Sequence, residues 1–229
     1  MKLAWQQIPS TIISDILSQN CLDGVVIDTE HGGFNTETLC ACIQVVTLNK
    51  KKCFVRLTEI NRHMARICLD TGCDGLIFST IESPDDAIKV REISIYPKNG
   101  GKRGLGLVRE NLWGLKQLVR KSNPILIAQI ETVEGVNNIE SIFNSDIFNF
   151  YMIGPYDLSA SVGMPGDFES QEYSKAINTI KDIVPVSKLA VHIPNNVKNE
   201  KKKYNDYGII AMGMDTISII EYYKEIENA

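Results

Sequence analysis

Eight short apolar segments recur along the chain, and an amphipathic segment with helical spacing follows each one. Alternating strands and helices form parallel sheets that are covered by helices. Eight such units predict a closed (β/α)8 barrel, one domain over residues 1–229, rather than an open doubly wound sheet. The predicted strands are KLAW, GVVID, CFVRL, GLIFS, ILIAQIE, FNFYMIG, LAVHI and IIAMG.

Residue types that cap helices precede several of the amphipathic segments. We expect helices to begin beside Ser10, Thr36, Asn61 and the pair Ser83-Pro84. Two connections are longer than the barrel units need: Tyr96 to Leu112, with a glycine-rich stretch at 100–106, and Tyr156 to Ser170. Long glycine-bearing loops commonly line substrate sites, so both are expected to do so here.

Composition excludes several classes of function. The formal net charge of -4 and the pI near 5.5 provide no basic face for nucleic acid. No apolar stretch reaches about 18 residues and no signal-peptide pattern is present, which predicts a cytoplasmic protein without a membrane span. The six cysteines include no CxxC pair, so reduced, mostly buried thiols are expected rather than metal ligands.

Polar residues end several of the apolar segments. Barrel enzymes carry their reacting groups at the C-terminal ends of the strands, so these residues are expected to share one rim. They are Asp28, Glu30 and His31 after strand 2, Arg56 in strand 3, Gln129 and Glu131 at strand 5, Asp157 after strand 6 and His192 in strand 7.

Two of these carboxylates, Glu131 and Asp157, suit a divalent metal. Gln129 and Glu131 are two residues apart in a strand, so they point to the same side, which must be the barrel interior if Glu131 is to meet Asp157. Two carboxylates with waters and a substrate oxygen make a typical Mg²⁺ or Mn²⁺ site, whereas a structural zinc would need a His/Cys cluster. Helix N-caps or rim ion pairs are an equally open interpretation.

The basic residues also have two interpretations each. Arg56 suits an anionic substrate, or it forms an ion pair with Asp28 or Glu30 inside the barrel. His31 is placed to act as a general base, since imidazole titrates near neutral pH. His192 contacts either the substrate or a loop, while His63 is expected on the surface of a helix.

Several motifs occur together in one order. They are IDTEHGGFN, FVRL followed by Asn61 and CLDTG, YPKNGGKRGLG, IAQIETVEGVNNI and IGPYDLSASVGMPG. This ordered set, which spans nearly the whole chain, resembles the HpcH/HpaI aldolase family, the class II pyruvate aldolases of the 4-hydroxy-2-oxoheptanedioate and 2-dehydro-3-deoxyglucarate type.

The resemblance implies a reaction and its participants. The implied reaction is reversible cleavage of a 4-hydroxy-2-oxo acid to pyruvate and an aldehyde by a homo-oligomer, such as a hexamer. The implied cofactor is Mg²⁺, Mn²⁺ or Co²⁺ on Glu131 and Asp157. Pyruvate would lie near Gln129 and the turn Gly154, Pro155, Tyr156, Asp157. The catalytic residues would be His31, Arg56 and Asp70, supported by Asp28, Glu30 and His192.

Asp70 lies at the end of the third predicted helix and hence near the barrel bottom, far from its own rim. A neighbouring subunit would have to bring it to the site, or it is a simple helix-terminal acid. The chain also departs from the family pattern: Ser79-Thr80 stands where a proline is common, and Tyr156 where several members have a small residue. The polar Ser79 and Thr80 favour a hydroxylated, sugar-like aldehyde.

Three rival functions fit the sequence less well. A Schiff-base aldolase needs a lysine at the inner C-terminal end of a strand, whereas Lys2 and Lys188 begin strands. A lyase of the citrate lyase β-subunit or malyl-CoA lyase kind would act on acyl-CoA thioesters, but the chain is short for an added lid domain and shows no basic cluster for the CoA phosphates. A non-catalytic barrel that binds 2-oxo acids would not need a metal, a base and a cation together.

Overall fold

The computed structural model describes residues 1–115 and 123–227. Eight parallel strands close into a barrel in which each strand pairs with its neighbours in chain order, and β1 pairs with β8. The predicted (β/α)8 barrel is therefore confirmed. The strands are β1 Lys2–Gln6, β2 Gly24–Asp28, β3 Lys52–Leu57, β4 Gly75–Phe78, β5 Ile125–Ile130, β6 Phe150–Ile153, β7 Leu189–Ile193 and β8 Ile209–Met212.

Helices connect consecutive strands around the outside of the barrel. The described α-helices are α1 Thr11–Ser18, α2 Thr36–Leu48, α3 Arg62–Thr71, α4 Pro84–Ser94, α5 Val133–Asn137, α6 Ile139–Asn144, α7 Pro155–Ser161, α8 Gln171–Ile183, α9 Val197–Glu200 and α10 Asp215–Glu227. Short 3-10 turns lie at Pro97–Asn99, Arg109–Gly114, Val186–Lys188 and Lys201–Tyr204. Among the described residues, no helix is long and apolar enough to cross a bilayer.

The predicted helix starts are mostly correct. The side chains of Asn61 and Ser83 accept hydrogen bonds from backbone N–H groups in the first turns of α3 and α4. Ser10 occupies the cap position of α1 without a side-chain bond. The prediction of Thr36 as a cap is wrong, because the extended backbone of Asn35 lets its side chain cap α2 and Thr36 is the first helical residue.

The core has two layers separated by the sheet. Alternate strand residues point into the barrel, where Trp5, Phe54, Ile77 and Ile127 belong to one buried apolar cluster. The other residues of each strand pack against the helices in a larger cluster. The alternation carries to the C-terminal strand ends, so the interior positions there are Asp28, Arg56, Gln129 and His192.

The two long connections lie at opposite ends of the barrel. The connection after α4 leads to the start of β5, and it packs back on α4 through hydrogen bonds from Lys102 to the Glu92 carbonyl and from Arg103 to the Ile95 carbonyl. None of residues 96–112, all of which are described, lines the cavity at the C-terminal strand ends. The expectation that the 100–106 loop borders the substrate is therefore wrong, because a connection that leaves a helix returns to the N-terminal ends of the strands.

Candidate active site

A cavity of about 370 Å³ opens at the C-terminal ends of the strands. Its described lining comes from seven of the eight βα units, all except the fourth. Among its walls are Trp5, Asp28, His31, Arg56, Gln129, Gly154, Pro155, Tyr156, Asp157 and His192.

Asp28 and Arg56 form a two-point ion pair in the floor of this cavity. The two residues stand opposite one another in the register of β2 and β3. Arg56 donates from Nε to Asp28 Oδ1 at 2.9 Å and from Nη2 to Asp28 Oδ2 at 2.6 Å, and its Nη1 lies 2.7 Å from Glu30 Oε2. The barrel ion pair that the sequence left open as an alternative for Arg56 is thus present, with both acids.

These contacts leave Arg56 able to meet a ligand as well. A guanidinium carries five N–H donors, and the hydrogen bonds to Asp28 use two of them, while the contact with Glu30 is an ion pair. Because the side chain also lines the cavity, the remaining donors are available to an anionic group there. The ion pair and the substrate contact are therefore compatible roles.

The two acids beside Arg56 have opposite pKa shifts. Burial by itself raises the pKa of Asp28, but the hydrogen bonds and charge of Arg56 outweigh it and hold the pKa below its usual range. Burial also raises the pKa of Glu30; there the charge of Arg56 only partly compensates, and nearby Glu131 adds to the increase. Asp28 is thus the permanent counter-ion of Arg56, while Glu30 takes up a proton more readily.

Glu131 is a buried carboxylate that its neighbours hold in place. Its Oε1 accepts hydrogen bonds from the backbone N–H and the hydroxyl of Thr80, at 2.7 and 2.8 Å, and its Oε2 accepts one from the amide of Gln129. Gly154 lets the β6 turn approach: a Cβ there would lie 2.5 Å from Glu131 Oε2. The Glu131 carboxylate therefore meets the turn that leads directly into Asp157.

The donor set fits a hard divalent cation. Asp157 lies exposed in the first turn of α7 and lines the cavity, while the Oε1 atom of Gln129 is buried without a hydrogen-bond partner. Within the described ranges, no group of three or more His, Cys, Asp or Glu side chains is arranged to hold a metal. Mg²⁺ and Mn²⁺ need only one or two protein carboxylates when waters and substrate oxygens complete the shell, so these residues suit them and do not suit structural zinc.

A family model described as HpcH/HpaI aldolase/citrate lyase matches residues 4–221. The chain belongs to this family. It is 28% identical over 220 residues to a 4-hydroxy-2-oxo-heptane-1,7-dioate aldolase of Salmonella dublin, covering 93% of this chain and 83% of that protein.

Solved structures of similar fold include members with different named activities. An HpcH/HpaI aldolase/citrate lyase family protein from Burkholderia cenocepacia J2315 superimposes with a TM-score of 0.90 at 20% identity, over 100% of this chain and 93% of that one. The citrate synthase SbnG superimposes with a TM-score of 0.84 at 23% identity, over 99% and 91% of the two chains. At these identities the structures show a shared fold and leave the substrate open.

His31 stands at the cavity mouth in this family member. Its side chain is 58% exposed, and its Nε2 lies 3.8 Å from Glu30 Oε2. Its backbone N–H donates to Asp28 Oδ1 at 3.3 Å, which fixes the start of the loop after β2. Glu30 therefore lies between Arg56 and His31 and contacts both.

His192 stacks on Trp5 inside the cavity, with ring centroids 4.0 Å apart. Its Nε2 bonds to the Gly213 carbonyl at 3.1 Å, so the loop hydrogen bond is present and the ring also lines the cavity. Burial lowers the pKa of His192 to about 4; the Gly213 carbonyl opposes this shift. The ring is neutral near pH 7 and provides a flat wall rather than a charge.

Sequence reasoning missed Trp5 and Asp215. Trp5 donates from Nε1 to Asp28 Oδ2 at 3.3 Å and lies under the Arg56 guanidinium, 4.9 Å from the ring centroid. Asp215 accepts the backbone N–H groups of Gln7 and Ile8 at 2.9 and 2.8 Å, which joins the end of β1 to α10. Trp5 could have been suspected from its position near a strand end, whereas no local pattern marks Asp215.

Asp70 lies outside the cavity, at the C-terminal end of α3. Its Oδ1 accepts a hydrogen bond of 2.6 Å from Arg103, whose side chain is fully buried over the ring of Tyr96. The predicted position near the barrel bottom is confirmed. A catalytic role for Asp70 stays a prediction that requires a second subunit.

Proposed function

We propose that this protein is a divalent-metal-dependent aldolase that reversibly cleaves a 4-hydroxy-2-oxo acid to pyruvate and an aldehyde. The observation that carries the proposal is that Gln129 and Asp157 line one cavity beside the buried cation Arg56, with the buried carboxylate of Glu131 hydrogen-bonded to Gln129. The family membership and the aldolase relative support the same reaction class.

Glu131 and Asp157 would hold the metal, and the fixed position of Glu131 suits that task. A bound Mg²⁺, Mn²⁺ or Co²⁺ would supply positive charge that stabilises an enolate. By family resemblance, pyruvate lies between Gln129 and the turn that includes Gly154, Pro155 and Tyr156. Pyruvate is small, planar and anionic, so it suits a cavity that is lined by the Arg56 guanidinium.

Proton transfer in the cleavage direction falls to His31. The ring accepts the proton of the C4 hydroxyl, the C3–C4 bond breaks to release the aldehyde, and the bonding electrons become the pyruvate enolate. Arg56 donates hydrogen bonds to the developing negative charge, which is where a fixed cation contributes most. Asp28 would position Arg56, and Glu30 would position both Arg56 and His31. His192 would act through its stacking on Trp5.

The decisive experiment is metal-dependent exchange of the pyruvate methyl protons with D₂O, followed by NMR. It tests enolate formation without requiring the unknown aldehyde. We expect exchange with Mg²⁺ or Mn²⁺, none after chelation, and loss of both bound metal and exchange in Glu131→Ala and Asp157→Ala. Glu134→Ala, which removes an exposed carboxylate from α5, is the matched control. Full metal content in both site variants would refute the ligand assignment.

The same experiment separates the rival functions. A non-catalytic 2-oxo-acid-binding barrel would bind pyruvate without exchange. A lyase acting on acyl-CoA thioesters would need cations for the CoA phosphates; no lysine is among the described residues that line the 370 Å³ cavity, whereas Lys181 and Lys203 line the cavity beside it. Turnover of a 4-hydroxy-2-oxo acid in the absence of CoA would favour the aldolase.

The structure removes part of the basis for predicting a hydroxylated, sugar-like aldehyde. The Thr80 hydroxyl, which was expected to favour a sugar-like aldehyde, donates to Glu131, and Ser79 is buried beside Glu30. Neither residue lines the cavity. A sugar-derived acceptor therefore stays a prediction and is compared with an alternative below.

A further inference from the structure

A second cavity, of about 430 Å³, lies beside the candidate active site between β6, β7, α8 and α9. We call it the side cavity. Ile153, Pro155, Tyr156, His192 and Pro194 line both cavities, so the two share one wall. Tyr156, which is exposed, is one of these shared residues.

The side cavity has an unusually aromatic lining. The Phe168 ring packs edge-on against the Tyr156 ring, with ring centroids 5.2 Å apart. It packs at a tilt against the Tyr173 ring, with ring centroids 5.5 Å apart. On the other side, Tyr204 and Tyr207 pack edge-on at 5.1 Å. Aliphatic side chains complete the walls: Ile153, Ile177, Val191 and Ile193. The aromatic ring of a ligand can pack edge-to-face against such side chains, which is a favourable arrangement.

Polar groups also line the cavity: Glu169, Lys181, Asn195, Glu200 and Lys203, with the hydroxyl groups of the tyrosines. The hydroxyl groups of Tyr173, Tyr204 and Tyr207 make no hydrogen bond to any other described residue. Burial raises the pKa of Tyr173 and of Tyr207 to about 12, so both are neutral donors at physiological pH. Glu200 pairs with Lys203 at 2.8 Å, so these two lining residues compensate each other's charge.

We propose that the side cavity binds the acceptor half of the substrate and that this half carries an aromatic ring on a short linker. The inference rests on the proposed aldolase function. A ring of this kind is enclosed by aromatic and aliphatic side chains, and a substituent on it can reach the phenol hydroxyls. Charged groups also line the cavity, so binding of a polyol chain is the alternative that the erythrose comparison tests.

The test fills the side cavity and compares acceptors of different length. Ile177→Trp places a large side chain in the cavity wall, while Asn178→Trp adds the same side chain at the next, exposed position of α8. Aldol addition of pyruvate is measured with glycolaldehyde, which is too short to reach, with phenylacetaldehyde, and with the polyol erythrose. Thermal unfolding and circular dichroism verify that each variant is folded.

We expect Ile177→Trp to lower the ratio of kcat/KM for phenylacetaldehyde to that for glycolaldehyde by about tenfold or more, as expected for loss of a well-packed ring contact. Asn178→Trp should leave this ratio within about twofold of wild type. An unchanged ratio in folded Ile177→Trp would overturn the inference. A selective loss with erythrose but not with phenylacetaldehyde would overturn the aromatic assignment.

A second readout does not depend on turnover. Saturation-transfer NMR of 2-phenylethanol, an unreactive analogue of phenylacetaldehyde, should detect binding to wild type and Asn178→Trp and little binding to Ile177→Trp. If pyruvate exchange fails while this binding pattern holds, the aldolase proposal is wrong and the side cavity remains a site for aryl ligands. Absence of binding to wild type, or equal binding to all three proteins, would refute the site itself.

Discussion

Thr80 donates both its backbone N–H and its hydroxyl to a single oxygen of Glu131, at 2.7 and 2.8 Å. Thr80 follows β4 with φ of +54°, a left-handed conformation that β-branched residues rarely adopt. Strain of this kind persists only where surrounding contacts maintain it, and it concentrates at functional sites. The pair therefore orients the proposed metal ligand from the neighbouring strand end.

Thr80→Val should weaken metal binding. The substitution keeps the shape of the side chain but removes one of two hydrogen bonds to Glu131, and loss of such outer contacts lowers metal affinity about ten- to a hundredfold. Isothermal titration with Mn²⁺ measures the affinity, and Thr80→Ser, which keeps a hydroxyl, is the control. Equal affinity in Thr80→Val and wild type would show that the backbone N–H alone positions Glu131.

Arg56→Lys should reduce aldol turnover by about a hundredfold or more. A lysine retains the charge but cannot donate to both oxygens of Asp28 and also reach an enolate, and loss of a donor to a developing anion has an effect of this size. The measurement is kcat with saturating metal, and Arg91→Lys, an exposed substitution on α4, is the control. Near wild-type turnover would leave Arg56 as a barrel ion-pair partner alone.

His31→Ala should slow cleavage by about two to four orders of magnitude while the protein keeps its metal. The side chain is exposed at the cavity mouth, so its removal should not disturb folding. Turnover and metal content are measured together, with His63→Ala as a control for an exposed histidine outside the site. Loss of metal in His31→Ala would identify the histidine as a ligand instead of a base.

Stability should decrease as the pH is lowered from about 6.5 towards 5, and His192 should account for part of the decrease. Its folded-state pKa of about 4 lies below the ordinary value of 6.5, so the unfolded chain binds a proton first in this range. One such group contributes a slope of up to about 1.4 kcal/mol per pH unit. Nearby Arg56 lowers this pKa and Asp28 raises it, and both remain in the variant tested below.

His192→Phe preserves a flat ring for Trp5 and removes the titration. Urea unfolding at several pH values should therefore give a shallower decrease for His192→Phe than for wild type. His63→Phe should retain the wild-type slope because that histidine is exposed. Identical slopes for His192→Phe and wild type would mean that His192 titrates normally in the folded protein.

Mixing two inactive variants should test whether Asp70 acts across a subunit boundary. Asp70→Asn keeps an oxygen for the buried Arg103, which avoids leaving that charge without its 2.6 Å contact. If subunits share sites, mixing Asp70→Asn with His31→Ala after verified subunit exchange should restore part of the activity. No recovery, or full activity of Asp70→Asn alone, would restrict Asp70 to its structural pair with Arg103.

The periodicity of the sequence determined the barrel. Short continuous apolar runs and amphipathic segments with helical spacing are local signals, and they identified all eight strands together with the rim on which His31, Arg56, Gln129 and Asp157 meet. The caps at Asn61 and Ser83 are also local, because the side chain bonds within its own first turn.

The tertiary structure decided which of these residues contact one another. Arg56 faces Asp28 because of strand register, and Thr80 meets Glu131 from 51 residues away because β4 and β5 are neighbours in the closed barrel. Tertiary packing also pairs Arg103 of the 100–106 loop with Asp70 and forms the side cavity between α8 and α9. Local periodicity specifies the elements and their faces, whereas contacts between distant elements depend on register and closure, which only the assembled barrel defines.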